Sequence, residues 1–255
     1  MKILCSIPKY FVVSLLLTSG AAFFGCSSSS QPSTPAGSSI VIPKAGSTYT
    51  YSRHERDSTI GKKPTTTDSV VVATVISSGM PFEGKNNVIT IDDDFDTLRY
   101  VFESSNDITI YRASLGSNGF VFFNPTPWIT LPFGSKMTGV QVISFDTSVS
   151  AQGATIPVHI SGVADYIGVD SIVKGSSKYA SGSQVKLTVT ITGSIFGTPI
   201  VITASQSYSF DISKGGYFHS VTETQIPNVV ILKTQILQGN TSLVEKILTD
   251  FTLLK

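Results

Sequence analysis

From Ile40 to the C-terminus the sequence alternates at a period of two residues, and that alternation restricts the fold more than any other feature. Its clearest stretch is Gln184 to Ile191. There Val185, Leu187, Val189 and Ile191 interleave with Lys186, Thr188 and Thr190, the pattern of a half-buried antiparallel strand. Further strands are expected at Val70 to Ile76, Val88 to Ile91, Leu98 to Phe102, Ile108 to Tyr111, Phe120 to Phe123 and Val140 to Phe145. Others are expected at Val158 to Ala164, Ile200 to Ser209, Tyr217 to Thr224, Val229 to Leu237 and Val244 to Leu254. Turn signals separate them: Ser78-Gly79-Met80-Pro81, Ser104-Ser105-Asn106-Asp107, Gly116-Ser117-Asn118-Gly119, Gly175-Ser176-Ser177, Phe196-Gly197-Thr198-Pro199, Lys214-Gly215-Gly216 and Gln238-Gly239-Asn240. Such short connections pair sequential strands antiparallel, as a meander.

No window of a dozen residues carries a helical stripe. The nearest, Ser242 to Leu254, contains the β-favouring Thr249, Phe251 and Thr252, and a short helix there stays open. Roughly twelve strands in one open sheet must curl or split, because strongly twisted sheets seldom exceed about ten. The expectation is therefore all-β: a single strongly curved antiparallel sheet forming a half-barrel, or a two-sheet sandwich. Composition agrees, with 14% charged and 41% hydrophobic residues and an abundance of Ser, Thr, Val and Ile. Neither a fixed-period repeat nor a composition shift divides residues 40–255, so one β-rich domain is expected there.

The amino terminus reads differently. Lys2 and Lys9 precede the apolar run Phe11 to Leu17, and Ser19 to Gly25 brings small residues up to Cys26, the order of a secretory signal. Its apolar stretch is shorter than the ~20 residues needed for a permanent membrane helix. This arrangement resembles the bacterial lipoprotein signal, in which Gly or Ala precedes a cysteine that is acylated and becomes the new N-terminus. Gly25-Cys26 fits it, whereas Phe23 and Phe24 depart from its usual Leu and small residue. The resemblance implies a signal peptide at 1–25, a lipidated Cys26 opening a flexible Ser/Pro tether at 26–39, and attachment to the membrane through acyl chains. Ordinary cleavage after Ala21 or Ala22, leaving Cys26 a free thiol, stays open. Ser27 is not an inner-membrane retention residue in such lipoproteins, so the resemblance implies the outer membrane. The acidic run that some Bacteroidota-type lipoproteins use for surface export is missing, the first charge after Cys26 being Lys44, so the resemblance implies the periplasmic face over the cell surface.

A second resemblance covers the domain. The segments Ile42 to Tyr51, Leu131-Pro132-Phe133-Gly134, Tyr166 to Ile172, Tyr208-Ser209-Phe210 and Gly215-Gly216-Tyr217 resemble uncharacterised outer-membrane lipoproteins of Bacteroidota- and Chlorobi-type bacteria. Those proteins are similar in outline to the lipoprotein-carrier fold of LolA and LolB, an unclosed antiparallel barrel that holds acyl chains in its concavity. The likeness implies a half-barrel and no enzymatic residues.

Charge and cysteine usage exclude several classes. Loss of Lys2 and Lys9 takes the formal charge from +1 to about −1, and no basic cluster exceeds Lys62-Lys63, so no nucleic-acid partner is expected. With Cys5 in the signal and Cys26 at its end, the domain has no thiol for a disulfide or a thiolate metal site. Asp92, Asp94, Asp96 and Glu103 have the spacing of calcium-loop ligands, but Thr97 stands where that loop needs glycine, and a solvated hairpin tip explains them more simply. His54, His159 and His219 lie in separate segments without a second histidine at ligand spacing, so no metal is expected. Asp211, His219 and Ser220 flank one Gly-Gly turn, but they lack the oriented nucleophile and oxyanion hole of a serine hydrolase.

Phe120 to Phe133 is the densest aromatic and proline segment and holds the sole tryptophan. Phe122, Phe123, Trp128 and Phe133 are its candidate ligand-binding residues, the competing account being a loop that caps the core. The sequence thus reads as an anchored, non-catalytic binding or carrier-like module for a small apolar ligand, without cofactor. A structural or assembly component docking a protein partner is the alternative, and an envelope hydrolase the third reading.

Overall fold

The computed structural model describes residues 39–93, 97–104, 107–111, 114–115, 120–121, 128–132, 137–151, 154–174, 177–231 and 234–254. The signal, Cys26 and the tether up to residue 38 lie outside them, as do Phe122, Phe123 and Phe133. The described elements are all strands: β1 (Thr48–Thr59), β2 (Thr65–Phe82), β3 (Lys85–Asp92), β4 (Thr97–Phe102), β5 (Asp107–Tyr111), β6 (Ser114–Leu115), β7 (Phe120–Val121) and β8 (Trp128–Pro132). The series continues with β9 (Val140–Ala151), β10 (Ala154–Lys174), β11 (Ser177–Ile195), β12 (Thr198–Asp211), β13 (Gly216–Ile226), β14 (Val229–Ile231), β15 (Thr234–Leu237) and β16 (Asn240–Thr252).

Twelve of them form one sheet in the order β8-β5-β4-β3-β2-β1-β16-β13-β12-β11-β10-β9, with every pairing antiparallel. The fold is therefore the single curved sheet and not the sandwich. Its two edge strands, β8 and β9, come into contact, so the sheet curls almost into a barrel. Strand twist accumulated over twelve strands produces that curl, and burying one apolar face selects it over a flat sheet.

The strand expected at Val244 to Leu254 forms as β16, which ends at Thr252 and pairs with β1 on one side and β13 on the other, so the helix left open there does not form. Several expectations need correction. The turn expected at Ser78 to Pro81 is an irregular stretch of β2, and the chain reverses instead at Glu83-Gly84, where both residues have positive φ. Val229 to Leu237 is not one strand but the separate hairpin β14–β15. The meander is broken once, because β1 pairs with β16 at the middle of the sheet and so joins the two halves of the chain.

On the inner face, one end of the curl is filled by aromatic side chains. Tyr49, Tyr51, Tyr100 and Phe210 have no exposed surface. The rings of Tyr51 and Tyr217 stack at 4.8 Å and 10°. Aromatic pairs of this kind add about 0.5–1.5 kcal/mol beyond the area they bury. Their hydroxyls reach the β12–β13 turn: Tyr49 donates to the Lys214 carbonyl (2.8 Å), Tyr100 to Gly215 (2.6 Å) and Tyr51 to Tyr217 (2.8 Å). Burial raises the phenol pKa of Tyr51 and Tyr100 well above the ordinary value, and neighbouring phenols push the same way. Tyr49 is raised by burial and then by the Asp211 carboxylate.

The outer face at this end is covered by the chain itself. A bulge at Gly168 and a close approach at Gly182 let the far part of the β10–β11 hairpin fold back over β12, β13 and β16. A Cβ on Gly182 would sit 1.7 Å from the Phe210 carbonyl oxygen, so only glycine allows the crossing. Tyr179 packs on Phe251, and Lys174 donates to the Thr249 carbonyl. Ser209 is consequently buried even though it points outward.

Candidate functional site

Away from the tyrosine end, the inner face divides into two walls of opposite character. Residues two apart along a strand share a face, so the register identifies which side chains line each wall. Across β2, β1, β16 and β13, one row of partners reads Ser69, Arg53, Lys246, Ser220. The next row along reads Thr67, Glu55, Val244, Thr222, Gln206, and a third reads Thr65, Asp57, Ser242, Thr224. These rows form a polar wall. Facing them, β9, β10 and β11 present Ile143, Ile156, Val158, Ile160, Val189 and Ile191, all buried.

Part of the polar wall is buried, and the rest is half-buried or open to solvent. Arg53 is 7% exposed, Gln206 6% and Thr224 3%. Arg53 and Lys246 stand directly opposite each other in register, two cations side by side, which is repulsive unless each has a counter-ion. Each has one. Arg53 Nη1 lies 2.7 Å from Glu55 Oε2, two residues along the same strand, and Lys246 Nζ pairs with the buried Asp93. Asp93 stands just past β3, three strands from β16 in the sheet order, so this pair spans the concavity. The amide of Gln206 is oriented by donation from Nε2 to the Thr222 hydroxyl at 3.5 Å. Gln206 Oε1, Thr224 Oγ1 and Ser69 Oγ are among the buried side-chain atoms without a hydrogen-bond partner in the described residues. Leaving a buried polar atom unsatisfied costs about 1–3 kcal/mol, so three on one wall call for a ligand or ordered water. At the rim, Thr65 and Thr67 are exposed, and the wall opens there to solvent.

The residues singled out in the sequence are distributed elsewhere. Trp128 starts β8, where its ring packs edge-on against Tyr111 (5.0 Å) and Phe82 (6.3 Å), and its Nε1 donates to the Glu83 carbonyl at 2.9 Å. It anchors the tip of the β2–β3 hairpin to the sheet edge. Of its proposed companions, Phe122, Phe123 and Phe133 lie outside the described residues, although the short strand β6 just before them lies against β12 and β13. Asp92 accepts from the Thr97 hydroxyl and Glu103 pairs with Lys85 at 2.5 Å, while Asp94 and Asp96 are outside the described residues. No group of metal-ligating side chains occurs among the described residues.

His54 and His159 each face an aspartate across a strand pair on the outer surface, Asp68 and Asp146 respectively. His219 does not meet Asp211 and Ser220. Its Nδ1 lies 2.8 Å from Asp170 and its Nε2 3.1 Å from Glu245, while Ser220 points to the inner face and Asp211 binds Ser213, Ser181 and Lys214. Ser209 donates to Asp170, not to a histidine, so no base is set to activate it. Burial of Asp170 works against its ionisation, but hydrogen bonds from Ser209, His219 and the Ser171 amide, with the charge on His219, hold its carboxyl below the usual value. These groups fasten the folded-back β10–β11 hairpin to β12, β13 and β16.

The polar wall went unnoticed in the sequence. Its one visible signal is Arg53-His54-Glu55-Arg56-Asp57, a charged run directly after the alternating Tyr49 and Tyr51.

No family model matches the sequence, and no curated protein matches it. Among solved structures, OmpT (in-vitro folded), an outer membrane protein of Vibrio cholerae, is matched over 82% of this chain and 99% of that one, at 9% identity and a TM-score of 0.17. The trimer form of the same protein is matched over 81% and 100%, at 8% identity and a TM-score of 0.14. At such scores the shapes do not superpose, and nothing is carried over from them. The outer face of this sheet is mixed in character, whereas the lipid-facing side of a membrane-spanning barrel is apolar. Here Ser52, Arg56, Lys186, Thr188, Ser205 and Ser207 point outward alongside the exposed Val70, Val72 and Ile76 of β2.

Proposed function

We propose that the chain is an exported lipoprotein of the cell envelope, held to the outer membrane through acyl chains on Cys26, whose curled sheet is a non-catalytic binding module. The address rests on the signal-like order of residues 1–25, on Gly25-Cys26 and on the uncharged tether that follows. The binding role is supported by one observation above the rest: half of the inner face has a buried apolar wall opposite a wall with unpartnered polar atoms. Side chains of the protein fill the tyrosine end, so a ligand belongs in the other half, with its apolar part against β9, β10 and β11.

Two experiments test the two parts. Metabolic labelling with a radioactive fatty acid should mark the wild-type protein and leave Cys26→Ala unmarked; an unlabelled wild type removes the anchor. Solvent extraction and mass spectrometry of protein purified from the envelope should release a stoichiometric amphiphile. A protein that releases nothing speaks against the binding role. The proposal also expects no turnover in broad esterase and glycosidase screens.

A second reading, a component that docks a protein partner, is favoured by the outward row Val70, Val72 and Ile76 on β2, of which Val70 is 72% exposed. In-cell cross-linking from this row to a single partner would support it.

A further inference from the structure

We infer that the polar inner wall is a seat for an uncharged, hydroxyl-bearing head group, such as the sugar of a glycolipid-type amphiphile. This inference rests on the binding role proposed above and specifies the chemistry of its ligand. Three chemistries are open to a buried polar wall: an anion, a purely apolar chain and a neutral hydrogen-bonding group.

An anion is disfavoured by the charge balance. Arg53 and Lys246 are the cations of the wall, and each is already neutralised, by Glu55 and by Asp93. A phosphate or carboxylate would have to displace a paired carboxylate and leave it buried. The carboxyl of Asp57 stands on the same face one row further out and adds negative charge. An apolar chain alone is disfavoured as well, because it would seal Gln206 Oε1, Thr224 Oγ1 and Ser69 Oγ away from any donor or acceptor.

A neutral polyol fits both constraints. Gln206 Oε1 accepts only, its amide being held by Thr222, so it needs a donor from the ligand. The hydroxyls of Thr224 and Ser69 give or take a hydrogen bond, as sugar hydroxyls do. Gln206 and Thr224 lie on the neighbouring strands β12 and β13, Thr224 directly opposite Ala204 and Gln206 two residues along β12 from it, so the two are diagonal neighbours on the inner face. The apolar wall opposite then receives the chain of the same molecule, and the exposed Thr65 and Thr67 mark the open rim.

The test uses the full chain purified from the envelope into phosphatidylcholine nanodiscs, with empty nanodiscs as the blank. Octyl β-glucoside below its micellar concentration, octanoate and octyl phosphate are titrated against the melting temperature. Octyl β-glucoside is expected to bind most tightly. Gln206→Leu and Thr224→Val are expected to weaken it about tenfold each while leaving octanoate unchanged, and Thr224→Ser, which keeps the hydroxyl, should retain it. Ser69→Ala provides an independent arm if Gln206→Leu fails to fold. Equal binding of all three probes, unaffected by the variants, overturns the head-group seat and leaves the apolar binding role standing. Preference for octyl phosphate overturns it in favour of an anion site. If no probe binds, and the variants only raise the melting temperature by removing unsatisfied atoms, both the seat and the binding role fail.

Discussion

At the scale of single residues, the tyrosines that close one end of the curl set the pH range of the fold. A phenol whose pKa is raised on folding contributes stability that is intact below its unfolded value, near 10, and lost as pH climbs towards the folded value. Two such groups, Tyr51 and Tyr100, give a slope of roughly 3 kcal/mol per pH unit above that point, and Tyr49 acts in the same direction. Equilibrium denaturation between pH 8 and 11.5 should therefore show flat stability up to about pH 10 and a steep fall beyond it. Tyrosinate absorbance from the buried rings should appear only together with unfolding. Gradual ionisation of every tyrosine in a protein that stays folded would mean that these hydroxyls are open to water. Tyr100→Phe should cost about 1–2 kcal/mol, because the buried Gly215 carbonyl loses its donor; urea denaturation measures it.

At the scale of elements, the folded-back β10–β11 hairpin is the feature most dependent on particular side chains. Gly182→Ala places a methyl group inside the Phe210 carbonyl and should either destabilise the protein by more than about 2 kcal/mol or release the hairpin. Hydrogen exchange distinguishes the two, since release raises exchange in residues 169–182 alone. The Asp170 contacts follow acid pH. Its folded pKa is lowered, so its contribution is present above the ordinary value of 3.8 and disappears as pH falls through the lower folded value. Protection of the hairpin should thus decline below about pH 4 in the wild type and be weak at every pH in Asp170→Asn. A hairpin equally protected in that variant would assign its position to Tyr179 and Phe251 packing alone. The same elements explain what sequence reading can reach. Val185 to Ile191 was legible because its inner side is apolar and its outer side polar. β1 was not, since beyond Tyr51 both of its faces are polar: Arg53 and Glu55 inward, His54 and Arg56 outward. The candidate site was hidden for that same reason, because a polar inner wall erases the alternation by which strands are recognised, and its partners are brought together only by pairing between β1 and β16. Trp128 was legible as an anchor, but its partner Phe82 lies at a hairpin tip that the Gly79-Pro81 signal placed several residues too early.

At the scale of the whole molecule, the central pairing of β1 with β16 decides whether there is one structure or two unsupported halves. Thr249 donates to the Thr50 carbonyl across a separation of 199 residues, so the contact that unites the sheet is among the last that loop-closure entropy permits. β1 through β8 cannot bury the polar wall alone, for β1 then has an open edge and the buried Asp93 loses its counter-ion Lys246. Neither half has a complete core, which predicts that folding waits for the ends of the chain to meet. Removal of residues 240–255 takes away β16 and with it the neighbour of both β1 and β13. The truncated chain should lose cooperative thermal unfolding and expose apolar surface to a hydrophobic dye, even though most strands remain encoded. The intact chain should refold slowly, on the order of seconds or longer, as expected for sheets dominated by distant pairings. Stopped-flow refolding followed by Trp128 fluorescence reports on the β5–β8 edge, whereas hydrogen-exchange pulse labelling reports on β1 and β16. If the two probes report one common rate, the sheet closes as a unit. If the Trp128 edge forms first and the truncated chain still unfolds cooperatively, the N-terminal half folds by itself, and β16 only completes it.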